Sequence, residues 1–529
     1  MDPRAWTSSL PQPLADIGAS WQLPPGLGGY SAIVLAVCVT GAVAYLAQST
    51  SSDAKNFPTI NPISGIEIIG KARKDDYARR GYKYFEEGVR KFPGKPFNVW
   101  TDFGQVTVLP SQWAHDIRNE PSLHFMKAIH QDFHADYAPF KPFASGTSDD
   151  ALLQAVARKQ LTKYLNKVTK PLSAETKFAL DVNFGSPSDW KEFALKDSML
   201  DVIARISSCV FLGDKICRNK EWIDVAKSYT SLAWLAAEEL RSYPKWSRGV
   251  VNRFLPSCQK LVFLAKKADE IVNPIIDERR ALKSQGKYNP SHSDSLDWFE
   301  EEAGGRPYDA GLCQLIMSVA AIHTTSDLSN ATIVQLATRP ELVEELRKEI
   351  IQVLSADGWK KTSLFNLKLL DSTLKESQRY QRHWARMERL VIKDFTLPDG
   401  SVLRKGNRTV VSTSGMGDPE FYDNPETFDA HRYVRMRDDP ERANLSHLVS
   451  TGPHHLGFGH GKHACPGRFF ASNELKVLLC HFIMKYDFKL PEDYQSQNFP
   501  MGARIVIEPK SRVLVKARTP EIDLDNLED

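Results

Sequence analysis

A cysteine set among glycines and histidines is the part of this chain most able to do chemistry. The run Gly457-Phe458-Gly459-His460-Gly461-Lys462-His463-Ala464-Cys465-Pro466-Gly467-Arg468-Phe469-Phe470-Ala471 delivers Cys465 just ahead of an apolar, helix-forming stretch. Glycines permit tight turns and close approach to a flat cofactor, and amides at a helix start can hydrogen-bond a sulfur anion and keep it deprotonated. These residue types point to a thiolate that binds a metal. Zinc is the competing chemistry, because His454, His455, His460 and His463 stand close by. Paired zinc-ligand spacing is missing, however, and the next cysteine, Cys480, sits inside a helical pattern. The bland alternative is a small buried core cysteine.

Further groupings carry polar chemistry. Ala320-Ala321-Ile322-His323-Thr324-Thr325 places small residues and then hydroxyls in the middle of an expected helix. That helix starts at Asp309, a capping residue, and runs to Thr338, where the Arg339-Pro340 step ends it. Taken alone, the segment also fits an interior helix packed closely on a neighbour. Glu376-Ser377-Gln378-Arg379 sets a carboxylate and a guanidinium on one helix face, 89 residues before Cys465. Asn424-Pro425-Glu426-Thr427-Phe428-Asp429-Ala430-His431-Arg432-Tyr433 adds another arginine.

The pattern Phe458-x-x-Gly461-x-x-x-Cys465-x-Gly467 resembles the haem-binding loop of the cytochromes P-450 at every fixed position. The resemblance implies haem b, with Cys465 as the axial iron ligand and Phe458, Gly461, His463 and Gly467 in the cofactor loop. His463 stands where the family often has arginine, and Arg158 or Lys159 is the expected second contact to a haem propionate. The Ala320–Thr325 segment is similar to the family's oxygen-activating helix, small-Gly-x-acid-Thr-Thr. Thr324 falls on its conserved hydroxyl, implying a hydrogen bond to bound oxygen and organisation of the water that delivers protons. The chain departs from that pattern at Ala321, in place of glycine, and at His323, in place of the acid, where an imidazole can shuttle protons instead. The family's E-x-x-R and P-E-x-F-x-x-x-R segments match at Glu376, Arg379, Pro425, Glu426, Phe428 and Arg432, with Ala430 at a common proline. Glu376, Arg379 and Arg432 are thereby expected to form a buried structural network.

What the resemblance implies for activity is a haem-thiolate monooxygenase that inserts one atom of O2 into a lipophilic secondary metabolite. Electrons would come from NADPH through NADPH-cytochrome P-450 reductase, with cytochrome b5 as a second donor. Lys462, Arg468 and Lys476 are the expected basic docking face for that partner. The motifs look most like fungal members that oxidise terpenoids such as diterpenes, indole diterpenes or meroterpenoids. An alkaloid or polyketide substrate, or a same-fold haem isomerase or dehydratase that needs no reductase, is the alternative. Val319, His323, the Trp384 region and Met501 are the expected pocket contributors.

The elements that must position these residues belong to a mostly α fold with small β-sheets, an α+β architecture; the resemblance implies the cytochrome P-450 fold as one large domain. Helical patterns cover 150–169, 200–212, 222–240, 254–283, 309–338, 340–354 and 371–382, and strand patterns cover 389–396 and 402–411 around a Leu397-Pro398-Asp399-Gly400 turn. Segments 504–508 and 512–516 read as a late hairpin. With 529 residues, 42% hydrophobic, 25% charged and a net charge of +3, the chain has ample core and no nucleic-acid signature. Cys38, Cys209, Cys217, Cys258, Cys313, Cys465 and Cys480 form no disulfide framework, which favours a reducing compartment.

Residues 27–47 are an apolar stretch long enough to cross a bilayer as one helix. The expected organisation is a tail at 1–26, a transmembrane anchor at 27–47, a linker at 48–62 and a catalytic domain at 63–529. Lys71, Arg73 and Lys74 tilt the charge balance towards a cytosolic catalytic domain, and the resemblance implies a single-pass anchor in the endoplasmic reticulum membrane.

Overall fold

Helices dominate residues 57–62, 71–288 and 293–527, the part of the chain that the computed structural model describes. The principal ones are α1 (Lys71–Lys91), α2 (Thr162–Asn183), α3 (Leu195–Leu212), α4 (Lys220–Arg241), α5 (Pro256–Ser284), α6 (Ala310–Ala337), α7 (Pro340–Asp357), α8 (Lys368–Tyr380) and α9 (Arg468–Lys485). Apolar periodicity locates the cores of α3 to α8, and differences are confined to their ends. The pattern at 150–169 is the exception. It holds the short helix Leu152–Ala155, a π-helical turn at Val156–Leu161, and then α2, which continues through Pro171 to Asn183. Burial of Leu172, Ala179 and Leu180 outweighs the hydrogen bond that the proline removes.

Helix α6 is the organising element. The Asp309 carboxylate accepts the Leu312 N–H at 3.0 Å, capping the first turn. Helices α3, α4, α5, α8 and α9 all pack on α6, so most of its residues are buried on every side. Behind it, α9 is equally enclosed, with Leu475, Val477, Leu478, Leu479, Phe482 and Ile483 in the core.

Strands form small sheets at the periphery: β1 (Phe97–Thr101), β2 (Gly104–Leu109), β3 (Leu123–His124), β4 (Lys191–Ala194), β5 (Ala385–Val391), β6 (Phe395–Thr396), β7 (Val402–Leu403), β8 (Arg408–Ser412), β9 (Tyr486–Lys489), β10 (Phe499–Met501), β11 (Arg504–Val506) and β12 (Arg512–Ala517). The largest sheet has the order β1-β2-β8-β5-β3, with β2 and β8 parallel and its other pairs antiparallel. Strand β5 carries a bulge between Arg386 and Arg389, where Met387 takes a φ of 54°.

The late hairpin is corrected. Strand β11 pairs with β10, while β12 joins β4 and β9, so the adjacent strands 504–506 and 512–517 find different partners. The Gly502 turn supplies the nearer partner, and β12 is drawn to the core by Val513 and Val515.

No helix of the described residues is long and apolar enough to cross a membrane. The anchor expected at 27–47 and the tail at 1–26 lie outside the described residues. Residues 57–61, within the expected linker, line β1: Phe57 is buried, and Asn61 exchanges side-chain hydrogen bonds with the Trp100 backbone at 2.8 and 3.0 Å.

Buried histidines make the fold acid-sensitive at identifiable points. His481 on α9 is hydrogen-bonded to Ser173 Oγ at 2.7 Å and stacks on Trp359; burial pushes its imidazole down to about 4. Its ordinary value is about 6.5, so the unfolded chain takes up the proton first and stability is lost as pH falls from about 6.5 towards 4. Against a His481→Gln variant, the wild type is expected to lose about 1 kcal/mol per pH unit in that window, measured by urea denaturation. A constant difference between the two proteins would refute a neutral buried imidazole.

Candidate active site

Neighbours or backbone conformation require glycine at 457, 459 and 461 of the cysteine loop, whereas a Cβ at Gly467 would meet nothing within 4 Å. Gly459 and Gly461 have φ of 69° and 73°, and a Cβ at Gly461 would lie 2.4 Å from the Arg118 Cβ. A Cβ at Gly457 would fall 1.9 Å from Gln378 Oε1. That same oxygen lies 2.9 Å from the His455 ring, so α8 holds the loop through Gln378. The Cys465 N–H donates to the Phe458 carbonyl at 2.8 Å, closing the loop, and Phe458 packs on the core. Burial pushes the Cys465 thiol up, while the Gly467 N–H, the Arg468 charge and the Arg468 N–H pull it down. A bound cation would complete the shift to thiolate.

The loop histidines are occupied separately. His454 stacks on Phe421 at 3.9 Å, His455 meets Gln378, His460 meets Thr451 at 3.0 Å, and His463 lies against His124. No cluster of zinc ligands forms around Cys465 among the described residues.

Beneath the loop, Glu376, Arg379 and Arg432 meet in the interior, the first two fully buried. Arg379 donates to both Glu376 oxygens at 2.8 Å, and Arg432 Nε donates to the same carboxylate at 3.1 and 3.2 Å. The remaining donors reach backbone carbonyls of Met416, Asp423, Asn424 and Thr427, and the Asp429 N–H adds a bond to Glu376 at 3.1 Å. Tyr422 lies below both guanidiniums and donates to the His454 carbonyl at 2.8 Å. The network therefore ties α8 to the segment ahead of the cysteine loop. Glu426 is outside it and pairs with Arg382 near the surface.

Whether haem fits is decided by polar atoms left over around the loop. Arg389 is buried, stacks over Phe125 and leaves Nη2 without a hydrogen-bond partner; Arg468 likewise leaves Nε. Burial, Arg389, His124, Lys462 and Arg158 together push His463 down to about 3, and burial pushes Arg389 down to about 10. Arg389 and Arg468 are thus buried or half-buried guanidiniums, each with a donor left over, beside a neutral His463, which suits a ligand with two carboxylates. In addition, Ala320 and Thr324, one turn apart on the otherwise enclosed α6, are solvent-accessible and leave an open strip along the helix. A flat dianionic metal cofactor fits these residues.

Thr324 Oγ donates to the Ala320 carbonyl at 2.8 Å. His323 Nε2 lies 3.3 Å from Ser231 Oγ on α4; burial lowers its pKa, Asp327 opposes this and Lys196 adds to it. Of the expected cofactor contacts, Arg158 is exposed on the π-helical turn and acts on His463 and Arg468 through charge, whereas Lys159 is turned to Glu302 at 2.9 Å. Lys476 is not part of a docking face. It is buried and bonded to Asp371 at 2.7 Å, and Arg468 is turned inward onto the Cys465 carbonyl, leaving Lys462 exposed. Trp384 is held against α1 by Glu86 and Tyr82, and Met501 is exposed on β10. Val319 is buried beside the open strip of α6. Arg389 and His124 escaped sequence reasoning; Arg389, next to Glu388 in its strand, gave no local signal of burial.

A family model described as Cytochrome P-450 matches residues 152–515. The chain is 42% identical over 469 residues to the cytochrome P-450 monooxygenase hepE of Aspergillus oryzae, covering 87% of this chain and 86% of that one. It is 39% identical over 482 residues to the monooxygenase eqxH of Fusarium heterosporum, covering 90% and 93% of the two chains. It is also 39% identical over 444 residues to the monooxygenase TRI1 of Fusarium sporotrichioides, covering 83% and 81%. Among solved structures, the cytochrome P-450DA heme domain superposes with a TM-score of 0.64 at 17% identity, over 88% of this chain and 98% of that one, a likeness of fold.

Proposed function

The chain belongs to the cytochrome P-450 family, among fungal monooxygenases of secondary metabolism, and from that premise we propose how its own residues serve the reaction and on what substrate. The observation that carries the reading is Cys465 just ahead of α9, with amides turned on its sulfur and a guanidinium nitrogen left over on each of Arg389 and Arg468. Haem bound there supplies iron-centred activation of O2, favoured by electron donation from the Cys465 thiolate. Arg389, His463 and Arg158 would hold its carboxylates, while Ala320 would leave room beside α6 for a flat ring. Thr324 orients proton delivery by turning its hydroxyl from the Ala320 carbonyl towards the open strip. His323, neutral near pH 7, stands one residue away with Ser231 as its partner and replaces the usual acid as proton carrier.

The substrate we infer is a lipophilic terpenoid, such as a diterpene, indole diterpene or meroterpenoid. Support comes from the similarity of the chemical motifs to fungal members that act on such compounds, together with the apolar Ile316 and Val319 flanking the strip. NADPH-cytochrome P-450 reductase, with cytochrome b5 as second donor, is the proposed electron source. A Thr324→Ala variant tests the reading. It is expected to keep haem and NADPH consumption but to form about tenfold less product per NADPH, the balance appearing as peroxide. Unchanged coupling would remove Thr324 from proton delivery, and product formed without reductase would favour the isomerase alternative.

For location we propose the endoplasmic reticulum membrane, with residues 27–47 as a single anchor and the catalytic domain cytosolic. Support comes from the apolar anchor sequence and from an exposed apolar set around α4 and α5, with Trp246 86% and Phe254 73% accessible. Each such side chain gains about 1.5 kcal/mol or more on burial, so a Trp246→Ser/Phe254→Ser variant lacking residues 1–56 should bind phospholipid vesicles at least about tenfold more weakly than the same truncation alone. Equal flotation of both would exclude this face from membrane contact.

A further inference from the structure

Two cysteines that look unrelated in sequence come together far along the chain from Cys465. Cys209 lies in the last turn of α3. Gly213, at φ 79°, then reverses the chain into the short helix Asp214–Cys217, returning Cys217 beside Cys209. Helix α2 packs on α3 and adds Glu175. One carboxylate oxygen of Glu175 and the sulfurs of Cys209 and Cys217 all lie within 4.8 Å of one another, and among the described residues no other group of such ligand atoms gathers in this way.

The Glu175 carboxylate points independently to a ligand. The residue is only 3% exposed. Its Oε2 accepts both Nε and Nη2 of Arg218 at 2.9 and 2.8 Å, but Oε1 is buried with no hydrogen-bond partner. An orphaned carboxylate oxygen in the interior is costly, and here it belongs to the same residue that faces two sulfurs.

We propose that Glu175, Cys209 and Cys217 bind a soft divalent cation of the zinc class, at a site separate from the haem. Two sulfurs and one oxygen select zinc over magnesium or calcium, which take oxygen ligands throughout. Ligand atoms around tetrahedral zinc stand about 3.5–3.8 Å apart, given bonds of about 2.3 Å to sulfur and 2.0–2.2 Å to oxygen. The 4.8 Å limit within which the three ligand atoms lie is about 1 Å wider than that spacing. Charge also balances. Binding releases the two thiol protons to solvent, and two thiolates, one carboxylate, one dication and Arg218 sum to zero. Arg218, which stacks over Phe178 at 4.0 Å, then orients Glu175 from behind. The site would pin the end of α3 to α2.

The test uses the full-length holoenzyme, incubated with zinc chloride and desalted. Zinc and iron are measured together by mass spectrometry, and the zinc environment is read by X-ray absorption at the zinc edge, which haem iron does not contribute to. The expected result is stoichiometric zinc with two sulfur neighbours at about 2.3 Å. Cys209→Ser and Cys217→Ser should each remove one sulfur and weaken zinc retention by about tenfold or more, at unchanged haem iron. Absence of retained zinc, zinc with nitrogen and oxygen neighbours alone, or a Cys209–Cys217 disulfide in the purified protein would each overturn the proposal. Should the serine variants fail to fold, the wild-type zinc-edge spectrum decides by itself.

Discussion

Replacing Cys465 with alanine is expected to abolish substrate oxidation outright. The reduced wild-type protein treated with carbon monoxide should show a thiolate-type, red-shifted Soret band, and the variant should not. The size of the effect follows from the absence of a substitute donor near the loop among the described residues. The cysteine within α9, Cys480, is fully buried in the core, and burial holds its thiol well above the ordinary range. His460 and His463 point to Thr451 and to the His124–Phe125 pair. The Glu376 network touches none of the substituted atoms, so the variant is expected to fold and to retain near wild-type secondary structure by circular dichroism. Persistence of the thiolate band together with product formation would disprove the assignment of Cys465, whatever the substrate proves to be.

The parts of this molecule that were legible in sequence are those whose information is local. The loop before α9 declares itself through glycines at fixed spacing from a cysteine, and α6 through its Asp309 cap and its Arg339-Pro340 end. Long-range pairing was illegible. Arg389 reaches the site because a bulge between Arg386 and Arg389 shifts the face parity of β5, and nothing within the strand announces that bulge except a non-glycine residue, Met387, forced to positive φ. The hairpin expected at the C-terminus fails for the same reason. Two neighbouring strands joined by a turn-like segment are the default pairing, and only the tertiary structure offers β12 two better partners, β4 and β9. Lys476 was misread because lysines are almost always solvated. Helix α9 is enclosed on all sides, and Asp371 is available to hold the ammonium at 2.7 Å. The Cys209–Cys217 proximity also depends on a single glycine-directed reversal, invisible in a count of scattered cysteines.

The second large effect is expected at Glu376, and it separates architecture from chemistry. Glu376→Gln leaves Arg379 and Arg432 buried with five donor contacts once made to carboxylate oxygens, counting Asp429, now facing a neutral amide that presents one acceptor and two hydrogens. Breaking a buried ion pair from one side costs about 3–5 kcal/mol, because the surviving charge stays desolvated. Glu426 provides the internal control. It is 77% exposed and pairs with Arg382, so Glu426→Gln is expected to cost less than about 1 kcal/mol. Because Arg379 and Arg432 also hold the backbone of Met416, Asn424 and Thr427, and Tyr422 carries the connection on to His454, loss of Glu376 should loosen the cysteine loop as well as the fold. Purified Glu376→Gln is therefore expected to show a lower urea midpoint and substoichiometric haem, while whatever fraction does load haem keeps the wild-type pH profile and the thiolate-type carbon monoxide band. A variant with wild-type stability and full haem content would show that the buried network is dispensable; a fully loaded variant with a shifted pH profile would instead place Glu376 in proton transfer, a role its enclosure by two arginines argues against.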